Sequence, residues 1–469
     1  MTMLTSIDRA KKKGTPSLGK VRNYSEVVEH LDSLVRYEYG QGALDRMKEL
    51  DKAFGHPSTK TESILVCGTN GKSSTVHFAA KLLKEEGFKV AATYSSHFLN
   101  YNERIMVDFQ LIGNKPFTDT VNEVINATEL HNIKATAYEV VLMASLLYLT
   151  EEKVDVAIIE LGYGGKFDAA NILKPKIAAI TRIAEDQVGL LSPDLDQAAF
   201  EMLEIAKEGT WFISAEQSKI RLQKMKSWID TQGAFWAMPI RKLANLPYIF
   251  EQLYGRTASL GERIAQIYVE DVKGKFSPFL RGNLLATQKG QRGRPTLEAK
   301  RHAELHPIKT LKGFWTEQFD LLRGRFELLD KEKPTILLDN ASNLDALTNL
   351  FLGIRLVHYQ KPLKGLGIII GLHKAVNAME AIKLIRYLLK KVSGQIFFVP
   401  IPGAVACHDS QDLALMAKEL NVKAKACNNF KEAFEQTKSA VDERDGMICV
   451  TGSPELITEY WNYRGIKKF

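Results

Sequence analysis

The sequence predicts an α/β fold in two parts: a P-loop-containing, mostly parallel sheet domain followed by a smaller Rossmann-like α/β domain. Three observations predict it. The chain has 469 residues, more than one hydrophobic core organises, so two domains or more are expected. Two series of short, uninterrupted apolar runs alternate with amphipathic helical patterns, as buried parallel strands and their crossover helices require. The stretch VCGTNGKSSTVHF, Val66 to Phe78, joins a strand-like run to a helix-like run through two glycines, a lysine and two serines.

Along the chain, YSEVVEHLDSLV and LDRMKELDKAFG carry apolar residues at helical spacing and read as helices that cap the first domain. The first strand series is SILVCG, KVAATYS, VDVAIIELG, KIAAITRI and TWFISA. From about residue 272 to 320 the alternation stops, and basic sequence with glycine and proline takes over. The domain boundary is expected just after it, near Gly324, giving units 1–324 and 325–469. The second strand series is TILLDNA, GLGIIIGL, QIFFVPI and GMICVTG, with AMEAIKLIRYLLKKV and DLALMAKEL as amphipathic helices between strands. No internal repeat or low-complexity tract interrupts either series.

Composition narrows the classes. Hydrophobic content of 45% and charged content of 25% are those of a soluble globular protein. No apolar run reaches the length of a membrane span, and the N-terminus lacks the apolar core of a secretory signal. Cys67, Cys407, Cys427 and Cys449 lie far apart without metal-ligand spacing, so a reducing cytoplasm is the expected compartment. Much of the net charge of +8 sits in one segment, Lys289 to His302, predicted to be a surface loop dispensable for chemistry. No interleaving of aromatic and basic residues marks a nucleic-acid module, so no nucleic-acid partner is expected. A positive protein does suit polyanionic small molecules such as ATP.

The glycine-lysine-serine stretch has a chemical reading. Glycines let the backbone turn tightly and aim N–H groups at an anion, and the following helix adds the positive end of its dipole. Lys72 is expected to reach the β/γ-phosphates, with the Ser73 hydroxyl beside a magnesium ion. One position is irregular, because the usual pattern has a small residue where Val66 stands. An ordinary glycine turn is the plain alternative, but strand, loop, Lys-Ser pair and helix all agree on a nucleotide. The loop does not name the reaction, since kinases, GTPases and ligases all use it. A second glycine cluster follows at IIELGYGGKFDAANIL, where Glu160 ends an apolar strand. A carboxylate there faces a ligand crevice, and magnesium is an effective partner for a buried acid.

CGTNGKSS, YSSHFLNYNERI, TAYEVVLMASL and ELGYGGKFDAANI resemble, in order and spacing, the folylpolyglutamate synthase/dihydrofolate synthase family of the Mur ligase superfamily. LRGRFELL, ILLDNASN and VTGSPELI extend the resemblance over nearly the whole chain. The resemblance implies a Mur-ligase type of fold and an ATP- and magnesium-dependent ligase that joins L-glutamate to dihydropteroate, to a reduced folate, or to both. The acceptor carboxylate is phosphorylated by ATP, and the glutamate amine then displaces phosphate. By the same resemblance Thr69, Asn70, Gly71, Lys72 and Ser73 hold phosphates, and Ser73, Ser95 and Glu160 hold magnesium. Thr136, Tyr138, Glu139, Phe167, Asp168 and Ala169 fall in stretches that line the pteroate pocket. Arg325 and Asp339 match residues that grip ATP as the domains close, and a monomer is expected. Read without the resemblance, Arg325 is equally a linker arginine and Asp339 a loop-capping acid.

Four departures accompany the match. Gln187 stands where the family has a magnesium-binding histidine and is itself a candidate metal ligand, since an amide oxygen can ligate magnesium more weakly than a carboxylate; Met202 stands where the family has a carbamylated lysine. Thr257, Ala258 and Gly261 fall in the segment that contacts adenine, and Ser342 replaces the usual histidine in DNASN. Either the enzyme works with a rearranged metal and adenine site, or the chain is a non-catalytic folate- or nucleotide-binding relative. Lys72, Ser73, Ser95, Glu160, Arg325 and Asp339 are all present, which favours a divergent enzyme. A cell-wall precursor ligase would explain the P-loop but not NERI or AYEV. A raised magnesium requirement is expected, with Glu139 and Glu185 as further candidates for a second ion.

Overall fold

A computed structural model describes residues 19–185, 194–281, 309–403 and 406–468. Two helices open the described chain, α1 (Tyr24–Ser33) and α2 (Gln41–Ala53). In α1 Asn23 caps the first turn and Glu26 returns the bond, a reciprocal capping box. The first sheet then forms from β1 (Glu62–Cys67), β2 (Val90–Thr93), β3 (Ile105–Val107), β4 (Gln110–Leu111), β5 (Val156–Glu160), β6 (Ile177–Ile180), β7 (Trp211–Ser214) and β8 (Phe235–Ala237). Its strand order is β4-β3-β2-β5-β1-β6-β7-β8. From β2 to β8 the pairs are parallel, while β3 and β4 are added antiparallel at one edge.

The central strands β1, β5 and β6 are buried almost throughout because helices cover both faces. On one side lie α3 (Lys72–Glu85) and α8 (Tyr248–Ile267), on the other α4 (Asn114–Leu130) and α5 (Ala137–Glu151). Helices α6 (Leu195–Leu203) and α7 (Lys219–Thr231) follow the β6 side. Helix α9 (Leu311–Gln318) returns to the same layer as α3: Trp315 stands edge-on to Phe78 at 5.4 Å and its indole donates to Glu262 at 2.8 Å.

The second sheet comprises β9 (Glu327–Leu329), β10 (Thr335–Leu338), β11 (Leu366–Ile370), β12 (Gly394–Phe398), β13 (Ala424–Ala426) and β14 (Met447–Thr451), in the order β13-β12-β11-β14-β10-β9. All pairs are parallel except β9 with β10. Helices α10 (Leu344–Gln360), α11 (Ala378–Leu389), α12 (Ser410–Glu419), α13 (Phe430–Ala440) and α14 (Pro454–Tyr463) surround it.

Every strand expected from an apolar run is present, and the sheets are mostly parallel as predicted. Strands β3, β4, β8, β9 and β13 escape the sequence pattern. Each has two or three residues at or near a sheet edge, too short for a period to register. The basic segment 289–302 lies outside the described residues, as does Gln187.

Gly261, expected in an adenine-contacting segment, instead sits where α8 crosses α3. A Cβ there would come within 3.1 Å of the Ala79 backbone nitrogen. Its small size is explained by close helix packing rather than by an altered ligand contact.

Candidate functional site

The C-terminal ends of β1, β2 and β5 and the N-terminal end of antiparallel β3 share one edge of the first sheet. This is the crevice where open α/β sheets bind ligands. The second sheet's β10–α10 turn and the start of α14 face it, closing a cavity of about 720 Å³.

The loop after β1 is held by its neighbours. Thr69 N–H donates to the Arg182 carbonyl at 2.7 Å, and its hydroxyl to the Ala184 carbonyl at 3.1 Å. Gly68 has φ +123°, outside the range of L side chains, and a Cβ there would overlap Thr181 Oγ1. Gly68→Ala is therefore expected to destabilise the protein by roughly 3 kcal/mol, read by chemical denaturation. Gly71, at φ +89°, precedes α3, and no side chain caps that helix. Its first N–H groups stay open towards the cavity, as anion binding requires. Lys72 Nζ rests on the Gly68 carbonyl at 2.9 Å, folded back over the loop. Val66, the irregular position, is fully buried inside β1, where its carbonyl accepts from Leu161 N–H. A β-branched residue suits that place.

Beside the loop, Ser73 Oγ and Ser95 Oγ both donate to Glu160 Oε1, at 3.1 and 3.0 Å. Glu160 Oε2 is buried and unpartnered. A buried carboxylate oxygen left orphaned while its twin serves two hydroxyls is a costly arrangement unless a cation completes it, and the all-oxygen donor set suits magnesium. Among the described residues no cluster of three His, Cys, Asp or Glu could hold a metal. Glu139 is not a spare metal ligand, because Arg46 engages both its oxygens at 2.7 and 2.8 Å. Met202 is buried behind the Gly165 backbone and contributes no charge. Glu185 is exposed.

The second sheet brings Arg325, whose guanidinium donates to Ser73 Oγ at 3.2 Å and lies over the Phe98 ring. Asn70 exchanges side-chain bonds with Asn343 at 3.0 Å and donates to Asp345 at 2.8 Å. Arg182 pairs with the same Asp345 at 2.8 Å. The phosphate loop is thus tied directly to the start of α10, a link that Asn70 alone gave no sign of. Ser342 and Thr257 line the cavity as well.

Asp339 accepts from the N–H groups of Phe326 at 2.7 Å and Ala341 at 2.9 Å. Burial pushes its carboxyl up to about 6, against those donors and the Arg325 charge, which favour the ionised form. The folded protein therefore holds this proton more tightly than the unfolded chain does. The associated stability is full below about pH 4 and is lost as pH rises through about 6, a change of at most about 3 kcal/mol. Asp339→Asn should remove that loss: relative to wild type, its denaturation midpoint should improve between pH 5 and pH 7.5. A constant difference across that range would contradict the assignment.

The expected pteroate residues divide into two groups. Tyr138 lines the cavity, joined by Tyr37 at a ring distance of 5.1 Å and, next to Tyr37, Tyr163 at 4.7 Å. Asp168 stands behind this wall, fully buried, and accepts from the hydroxyls of Tyr37 (3.0 Å) and Tyr138 (3.1 Å) and from Gly162, Tyr163 and Ala170 N–H. Burial raises its carboxyl pKa, and these donors work against the rise. Thr136 and Glu139 form a capping box at the start of α5. Phe167 packs on Tyr39, and Ala169 is buried in the following turn. These residues shape the wall and do not reach the cavity. Tyr37, Tyr163, His97 and Arg104 do reach it; the last three stand inside the stretches YSSHFLNYNERI and ELGYGGKFDAANI without a role of their own there, and Tyr37 lies in no such stretch.

Residues 66–226 match the Mur ligase middle domain. Dihydrofolate synthase/folylpolyglutamate synthase of Bacillus subtilis (strain 168) is 29% identical over 333 residues, 67% of this chain and 73% of that protein. Folylpolyglutamate synthase of Lacticaseibacillus casei is 24% identical over 447 residues, covering 92% of this chain and 96% of the other. A bifunctional folylpolyglutamate synthase/dihydrofolate synthase structure with Mn, AMPPNP and L-glutamate bound shares the fold. It has a TM-score of 0.70 and 19% identity, over 95% of this chain and all of that one.

Proposed function

The chain belongs to the folylpolyglutamate synthase/dihydrofolate synthase family, and from that premise we propose that it is an ATP-dependent ligase joining L-glutamate to dihydropteroate, a reduced folate, or both. The observation that carries this reading is the set Lys72, Ser73, Ser95, Glu160 and Arg325, drawn from both sheets onto one cavity beside an aromatic wall. In the reaction the acceptor carboxylate takes the terminal phosphoryl group of ATP, and the glutamate amine displaces phosphate to leave an amide.

The loop of Thr69 to Ser73 holds the phosphates by its N–H groups, and Lys72 swings from the Gly68 carbonyl onto the transferring group. Ser73, Ser95 and Glu160 would hold magnesium, which when bound offsets negative charge between the phosphates. Arg325 and Asp339 act from residues 325–469 and the phosphate loop from residues 1–324, so catalysis depends on the two units meeting. Tyr37, Tyr138 and Tyr163 offer faces for a flat pterin or benzoate ring. No helix among the described residues is long and apolar enough to cross a membrane, and the described cysteines are free thiols. On this reading the protein acts on small-molecule substrates, as a monomer in a reducing cytoplasm.

The test is ADP release with ATP, magnesium and L-glutamate, with and without dihydropteroate or tetrahydrofolate. Release that needs both acceptor and glutamate is expected. Release with neither, or none at all, would overturn the reading.

A further inference from the structure

The segment NERI, Asn102 to Ile105, follows β2 and supplies the cavity with one side chain. Three of its four members have structural duties. Asn102 donates to the Ile112 carbonyl and accepts from the Tyr24 hydroxyl, both at 2.8 Å. Glu103 gathers the N–H groups of Phe98, Leu99 and Asn100 within 2.9 Å, which folds the loop before it. Ile105 is fully buried at the start of β3. Arg104 alone faces the cavity.

Its mounting is specific. Arg104 Nε donates to His97 Nδ1 at 2.9 Å, and the guanidinium lies over the Tyr101 ring. Tyr101 packs against His97, the rings tilted by 43° with centroids 4.3 Å apart, and is fixed by its hydroxyl to Asp32 at 2.9 Å. Among the described residues no carboxylate lies within ion-pair distance of Arg104, and Nε makes its only side-chain hydrogen bond. The terminal nitrogens of a fixed, planar fork are left facing the cavity.

We propose that Arg104 is the carboxylate-recognition residue of this cavity, taking a substrate carboxylate in a two-point ion pair while His97 and Tyr101 hold the fork in place. A largely buried guanidinium with no acid at ion-pair distance is costly, and a planar carboxylate is the partner that matches its geometry. A phosphate on the P-loop is a poor match for position. Strands β2 and β5 separate β3 from β1, which puts the two loops roughly 14 Å apart at ordinary strand spacing. Arg104 instead lines a second, small pocket with Tyr138 and with Glu160, whose carboxylate stands beyond ion-pair distance. The carboxylate comes from one of two sources, the acceptor acid or the incoming amino acid. The identity of those substrates rests on the ligase reading above; the anion site itself rests on the mounting.

The test uses the full chain as wild type, Arg104→Gln and Arg104→Lys. Thermal stabilisation by L-glutamate and by dihydropteroate is measured separately, alongside the KM for each and for ATP. For one of the two carboxylates, Arg104→Gln should lose the stabilisation and raise KM about 10- to 100-fold, the loss of a charge-assisted pair. The ATP KM should stay within about twofold, and Arg104→Lys should fall between. The affected ligand identifies the source. Wild-type stabilisation patterns in both variants, or a fall in kcat with every KM unchanged, would overturn the proposal. So would loss of folding in both variants, which would make Arg104 structural, or absence of stabilisation of wild type by either ligand. If wild type releases no ADP, the ligase reading fails while the stabilisation measurements still decide the anion site.

Discussion

Lys72→Ala should lower turnover by about a thousandfold or more while leaving the fold intact. Phosphoryl transfer asks the protein for position and charge, and removing one positioned donor in such sites costs about 3–4 kcal/mol. Lys72 offers the only side-chain cation on the phosphate loop itself, between Gly71 and Ser73. Its ammonium makes a single hydrogen bond, to the Gly68 carbonyl, so truncation removes little from the folded state. The melting temperature should move by no more than a few degrees. ADP release and a melting curve on the same preparation check both halves. Near-normal release by a folded Lys72→Ala protein would remove this loop from the mechanism.

Glu160→Gln should separate activity from stability in opposite directions. Oε1 anchors Ser73 and Ser95, and an amide oxygen keeps both bonds. Oε2 is buried with no hydrogen-bond partner, so converting the acid to a neutral amide removes a buried charge and should leave the protein about as stable. The same change removes the one carboxylate that, among the described residues, supports the metal position. Turnover should fall about a hundredfold or more, and the magnesium needed for half-maximal rate should rise. Unchanged magnesium dependence would place the ion elsewhere. A marked loss of stability would show that the carboxylate serves the fold instead.

The strand series and the phosphate loop were legible for one physical reason. Buried parallel strands must be apolar throughout, and a backbone anion site needs glycine and a helix start in immediate succession, so both leave contiguous marks. Val66 to Phe78 contains its own strand end, turn and helix start. Glu160 could be read because it ends an apolar run, where an acid has little other reason to stand. The edge strands β3 and β4 could not, since two or three residues show no period.

What the tertiary structure decided are the relations between distant segments. Asn70 meets Asn343 and Asp345 across more than 270 positions, a pairing carried by two separate sheets and by no local pattern. The aromatic stretches around Tyr138 and Phe167 read alike in sequence. Only one of the two rings faces the cavity: Asp168 gathers the hydroxyls of Tyr37 and Tyr138 behind the wall, while Phe167 packs on Tyr39. Gly261 reads as a missing ligand contact until α8 is laid across α3, where any side chain would press on the Ala79 backbone. In each case the sequence by itself determined which residue types were present and which element carried them. The packing of one element on another decided whether a side chain met solvent, core or cavity, because that depends on what lies opposite, which no local spacing encodes.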